Sequence, residues 1–240
     1  MKLKPCRPSL LPLKKLDWKA LIPEIGQARE ALARYDEQLK KATQTAIEKK
    51  QQQEATSTIH GGAKREIAFA KAALDFAILY AKRHAPSSVS FFCKVHAILR
   101  QDGVDLAEIG KIRKKQNWIG PKDKPIEEGY FCPPKAEHVP RLLANLCRYM
   151  KSRELDPLVQ LAIFVGQFLI IHPFMDGNGR VARIFIPIWL WKKGLISRPA
   201  FFMSGFFESR RTAYFQKLNS ITETKSWEEW IRFFLQGMAQ

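Results

Sequence analysis

The chain has no GxxxxGK[ST] segment, no CxxC pair and no apolar run long enough to cross a bilayer. The first absence excludes a Walker-type phosphate loop. The second leaves Cys6, Cys93, Cys132 and Cys147 without the spacing of a zinc ribbon or a disulfide framework, so a reducing, intracellular setting is expected. The longest apolar stretch, residues 161–171, covers 11 positions and reads as a core helix; no membrane partner is expected. The basic opening MKLKPCRPSLLPLKKLDW lacks the apolar h-region and cleavage site of a secretory signal. Acidic residues are scarce too: 23 Asp and Glu against 40 Lys and Arg give a net charge of +17. Such an excess favours a negatively charged partner and says nothing about fold. What is present is a 240-residue chain that is 46% hydrophobic, enough for a real core and too apolar for whole-chain disorder.

Hairpin dipeptides are also rare, while apolar residues recur at three- and four-residue spacing, so the fold class is all-α with one small β element. An opening arm runs to about residue 21. A long helix is expected from residue 23 to about 53, with Ile25, Ala28, Leu32, Tyr35 and Leu39 on one stripe. A second runs from about 64 to 83 and buries Ile67, Ala70, Leu74, Ile78 and Ala81. Residues 110–134, broken at Gly120-Pro121 and Pro133-Pro134, read as a hairpin or flap. Helices follow at about 137–151, 157–171 and 178–191, with two more helical patterns between 204 and 234.

Chemistry concentrates in residues 172–183, HPFMDGNGRVAR. Pro173 pushes its predecessor out of the α region, which presents His172 at a helix end. In Asp176-Gly177-Asn178-Gly179 two glycines let the backbone turn sharply and approach an anion, and the helix starting near Asn178 adds its positive dipole end. Arg180 and Arg183, at i and i+3, offer two forked donors from one helix face. Asp176 supplies a hard oxygen ligand suited to Mg2+ beside a di- or triphosphate. A neutral His172 imidazole can accept a proton from an attacking hydroxyl.

This segment resembles the signature of the Fic family, HPFxDGNGRxxR, at every specified position. The resemblance extends to QNWIGPKDKPIEEGYFCPP as the family's flap, to WEEWIRFFL as its last core helix and to PLKKLDW as its entry segment. It implies the Fic fold, a helical bundle with a small β-hairpin flap, with residues 1–62 as an N-terminal arm and helices and 63–240 as the catalytic core. It further implies transfer of AMP from Mg-ATP to a Tyr, Thr or Ser hydroxyl of a target protein. In that reaction His172 is the general base and Asp176 the Mg2+ ligand. Gly177, Asn178, Gly179, Arg180 and Arg183 hold the phosphates, and Tyr214, beside Phe215, lies near the base. Trp118 and Ile119 in the flap would clamp the target segment.

The family's inhibitory motif, [ST]xxxE[GN], looks degenerate here. Whether Thr56 or Ser57 opens it, the glutamate position holds His60 or Gly61. The expectation is therefore that no carboxylate ties up Arg183 and that transfer is not auto-inhibited. De-AMPylation, another donor such as UTP or GTP, and a basic nucleic-acid-binding module are the alternatives. The run Lys111-Ile112-Arg113-Lys114-Lys115 ahead of the flap suggests an acidic or chromatin-associated target, and a homodimer is among the expected assemblies. The setting would be a bacterial cytoplasm or, for an effector, a host cell.

Overall fold

The structure, a computed structural model, describes residues 4–14, 16–58, 64–99, 107–120, 130–152 and 156–240. Ten α-helices occur among them: α1 (Ile22–Lys41), α2 (Gln44–Thr58), α3 (Lys64–Arg83), α4 (Val89–Ile98), α5 (Val139–Tyr149), α6 (Pro157–Ile171), α7 (Asn178–Lys192), α8 (Ser204–Ser209), α9 (Arg211–Glu223) and α10 (Trp227–Met238).

α6 lies at the centre because it is apolar on every side: all its residues after Pro157 are buried. It starts at Pro157, which has no N–H to lose, behind Asp156, whose carboxylate accepts the Leu158 N–H at 2.8 Å. α5, α7, α9 and α10 pack around it. Its two polar residues are tied to main chain by their amide N–H groups: Gln160 donates to the Tyr149 carbonyl and Gln167 to that of Ser9, each at 2.8 Å. α10 approaches closely where the Trp230 indole donates to the Ala162 carbonyl at 2.7 Å, over Gly166. A Cβ at Gly166 would lie 2.7 Å from the Trp230 ring nitrogen. Gly166→Ala should therefore cost about 1–3 kcal/mol, read as a lower midpoint in urea unfolding.

α1 packs against α10, joined by an Arg232–Glu24 ion pair, and α2 lies along α3 and α8. One hydrophobic cluster includes Leu32, Ile47 and Ala55 from the first two helices together with Phe92, Phe164 and Phe185. No helix among the described residues is long and apolar enough to cross a membrane.

Three expectations are corrected. The helix over residues 23–53 is two helices: Ala42 turns extended, Thr43 Oγ1 caps the Ala46 N–H, and Arg198 binds the Ala42 carbonyl at 3.0 Å. α4, absent from the sequence reading, starts at the Ser88 cap and runs through Phe91, Phe92 and Val95 in the core. The tail carries three helices, not two. Of the expected hairpin flap the described residues hold one antiparallel bridge, Ile119 to Phe131, and the turn at 121–129 lies outside them.

Candidate active site

The site forms where α6 ends and α7 begins. His172 caps α6 in the left-handed conformation, φ 50° and ψ 63°. A non-glycine residue there costs on the order of 1–3 kcal/mol and must be held by its surroundings. Its Nδ1 lies 3.3 Å from the Leu169 carbonyl, which can only accept, so Nδ1 carries the proton and Nε2 keeps its lone pair. Burial pushes the His172 pKa down to about 4, so the ring is neutral at pH 7.

The following loop is clamped from inside. Phe174 is fully buried, and its backbone N–H and carbonyl pair with the Asn178 side chain, both at 2.9 Å. Asn178 is thus a brace for the loop, its side chain taken up by the Phe174 main chain. Asn117 donates to the same Phe174 carbonyl at 3.2 Å. The His96 ring stacks on Phe174 with centroids 4.0 Å apart and planes 5° off parallel. Its Nδ1 accepts the Gly110 N–H at 2.9 Å, so its Nε2–H donates to the Asp176 carbonyl at 3.1 Å. Sequence reasoning missed His96 and Asn117; an isolated histidine in an apolar helix carries no local signal for contacts 80 residues away.

Gly177, at φ 76°, supplies the left-handed step from which α7 starts, and its N–H is taken by the Asp176 carboxylate at 2.6 Å. The N–H groups of the first turn of α7 lack helical acceptors and carry the positive end of the dipole. Arg180 is buried beside Asp176, Arg183 and Glu66. A cavity of about 210 Å³ brings together His172, Gly179, Arg183, Tyr214, Ile119 and Ser57. Trp118 is 40% exposed and stands outside that lining. A larger groove of about 610 Å³ between α2, α3 and the 197–199 turn contains none of the motif residues.

Arg183 is not isolated from carboxylates. Besides Tyr214, Glu54 on α2 and Glu208 on α8 act on its charge, and Glu54 also accepts a hydrogen bond from Ser204. Neither carboxylate stands at the glutamate position of the inhibitory motif. Thr56 and Ser57 are exposed on the last turn of α2, whereas His60 and Gly61 lie outside the described residues.

No group of three or more His, Cys, Asp or Glu forms a metal cage among the described residues. Asp176, an exposed carboxylate just ahead of α7, fits an ion such as Mg2+ that takes one or two carboxylates and completes its shell with phosphate and water.

Burial lowers His96 to about 4 as well. The unfolded chain would take up protons on both histidines from about pH 6.5 downward while the folded chain does not. Stability is therefore full above about pH 6.5 and falls toward pH 4, by about 3 kcal/mol per histidine. Thermal unfolding followed by circular dichroism across this range should show the loss, and His96→Phe should reduce it by about half. An unchanged slope in that variant would count against a buried neutral His96.

Residues 86–190, which hold this site, match the Fic/DOC family. That span is a Fic-type domain. Among curated relatives, protein adenylyltransferase fic-1 of Caenorhabditis briggsae is 29% identical over 119 residues, and that of Caenorhabditis elegans 28% over the same length. These matches cover 48% of this chain and 22% of each relative, so the chain spans about a fifth of their length. A Fic family protein from Desulfovibrio desulfuricans G20 has the same fold, with a TM-score of 0.74 at 22% identity over 97% of this chain and 74% of its own. The bundle is thus the Fic fold, and α4, α6 and α7 are the elements that frame its motif.

Proposed function

We propose that this Fic domain transfers AMP from ATP to a Tyr, Thr or Ser hydroxyl of a target protein. The observation that carries the reading is the shared cavity: the bare Nε2 of His172, the start of α7, Arg183 and Tyr214 border one space. The target hydroxyl gives its proton to His172 Nε2 while its oxygen bonds to the α-phosphorus of ATP. The bond from that phosphorus to the bridging oxygen breaks, and pyrophosphate leaves. The α7 N–H groups, Arg180 and Arg183 meet the charge on the departing phosphates, where fixed donors give their largest effect. Asp176 would hold Mg2+, which neutralises phosphate charge when bound. Tyr214 borders the space left for the base, and the Ile119 side of the flap borders the acceptor.

Residues 1–62 serve as the controlling and supporting portion and 63–240 as the catalytic core in this reading. Lys111, Lys114 and Lys115 are exposed and suit an acidic target, chromatin-associated ones included; Arg113, from the same run, is buried and does not. The reaction belongs where ATP is found, inside a cell, and a homodimer is compatible with it. Incubation of the chain and a cell lysate with labelled ATP, UTP or GTP, followed by mass spectrometry, tests donor and acceptor together. AMP on protein hydroxyls from the ATP arm alone supports the reading, and no labelled protein in any arm rejects it.

Without a glutamate at the motif position, transfer runs without the family's block, and the restraint left on Arg183 comes from Glu54 and Glu208, of which Glu54 acts more strongly. Its negative charge competes with phosphate for the same guanidinium. Glu54→Gln should therefore tighten ATP binding by about three- to tenfold, on the order of 1 kcal/mol of relieved repulsion at an effective dielectric near 20. Isothermal titration with ATP measures it, and unchanged affinity would remove Glu54 from the site's electrostatics.

A further inference from the structure

Arg113 is 1% exposed, the one member of the Lys111–Lys115 run that leaves the surface. Burying a guanidinium is unfavourable unless every donor is used, and here the donors go to backbone carbonyls. Nε donates to the His172 carbonyl at 2.8 Å, and Nη2 reaches that of Ile171 at 3.4 Å. The Arg113 main-chain N–H binds the Pro173 carbonyl at 2.9 Å. Three consecutive carbonyls of the turn bearing the general base are thus held by one residue. The other side of the fork faces the flap: Nη1 donates to Lys115 at 3.1 Å and Nη2 to Pro134 at 2.5 Å. Those two carbonyls lie on the legs leading into and out of the Ile119–Phe131 bridge.

The guanidinium also sits at the C-terminal end of α6, whose last carbonyls lack helical partners and carry the negative end of the dipole. Among the described residues no carboxylate is a hydrogen-bond partner of it, and its charge goes to orienting peptide groups. A lysine has a single ammonium point and cannot span these directions at once.

We propose that Arg113 is a positioning residue for the transfer step, fixing the left-handed turn of His172 to both legs of the flap so that base and acceptor hydroxyl share one rigid frame. The assignment rests on the adenylyltransferase reading above. Arg113 does not line the cavity, so the nucleotide's own contacts stay intact when it changes.

The test is Arg113→Lys, which keeps the charge and loses the fork. Misplacement of reacting groups by about 1 Å costs roughly 10²-fold. The variant should show kcat lowered about 10- to 100-fold and KM for the target raised, with the ATP dissociation constant within about threefold of wild type. A second readout needs no activity. In the 15N-labelled, nucleotide-free chain the two ring nitrogens of His172 should give widely separated resonances for one tautomer, and in Arg113→Lys they should move toward an averaged position. Three results would overturn the proposal: kcat within threefold of wild type, ATP binding lost in step with kcat, or a variant that does not fold, which would assign Arg113 to the fold alone. If wild type transfers no AMP, the functional reading fails by itself, and the ring-nitrogen shifts still decide whether Arg113 holds His172.

Discussion

Replacing His172 by alanine is expected to lower AMP transfer by about 10³-fold while leaving ATP binding within about threefold of wild type. A positioned general base contributes roughly 10² to 10⁴ in rate. The groups proposed to face the phosphates, namely the α7 N-terminus, Arg180 and Arg183, do not depend on the imidazole for their placement. The loss should therefore fall on kcat, with KM for ATP nearly unchanged, the pattern of an interaction made in the transition state. Stability should move little, because the ring borders the cavity and its hydrogen bond among the described residues is the 3.3 Å approach to the Leu169 carbonyl. The pH profile adds a separate check. With His172 near 4 in the nucleotide-free site, the acid limb of kcat/KM for ATP should lie well below the ordinary imidazole range. Bound phosphates bring negative charge toward the ring and favour its protonated form, so the acid limb of kcat should lie higher. Coincident limbs would mean that the nucleotide does not approach His172. Retained activity in the alanine variant would remove His172 from the chemistry altogether.

The motif is legible in the sequence because each of its functions is local. A proline after His172 ends α6, glycine at 177 permits the left-handed start of α7, and arginines three apart share a face; all three consequences are fixed within twelve residues. The limits of α6 follow from the same kind of signal, an aspartate cap and a proline at one end and a pre-proline residue at the other. The supports of the site are not legible, since their partners are remote and mostly main chain. Arg113 reads as one more surface cation in a basic run, and only the arrival of carbonyls 58 to 60 residues later makes it a buried brace. His96 poses the same problem: its acceptor is the Asp176 carbonyl, and a carbonyl leaves no trace in a side-chain pattern.

The same distinction explains the two carboxylates near Arg183. Counting along a helix from Thr56 or Ser57 leads to His60 or Gly61, and neither can pair with an arginine. Glu54, upstream of both, reaches the arginine's surroundings because α2 packs on α3 and α8, which also presents Glu208. Helix-on-helix placement decides that contact. The break at Ala42 arises in the same manner: the sequence there has no proline or glycine, and the Arg198 bond to the Ala42 carbonyl is a tertiary effect overriding helix propensity.

Arg183→Gln should lower kcat/KM for ATP by about 10²- to 10³-fold, the usual effect of deleting one fixed donor to developing charge. The side chain borders the cavity beside the first turn of α7, so in the proposed reaction its cation and the dipole end act on the same phosphates. Lysine at this position should recover only part of the loss, because it replaces a fork by a point charge. A second consequence separates catalysis from folding. Without the guanidinium, Glu54 and Glu208 retain their negative charges around a neutral amide, and stability should fall by about 1–3 kcal/mol. Adding Glu54→Gln removes one of those charges, so the double variant should regain stability yet stay as inactive as Arg183→Gln alone. Urea unfolding and labelled-ATP transfer on the two single variants and the double variant complete the cycle. Recovery of transfer in step with stability would mean that Arg183 serves the fold and that the phosphates are held elsewhere.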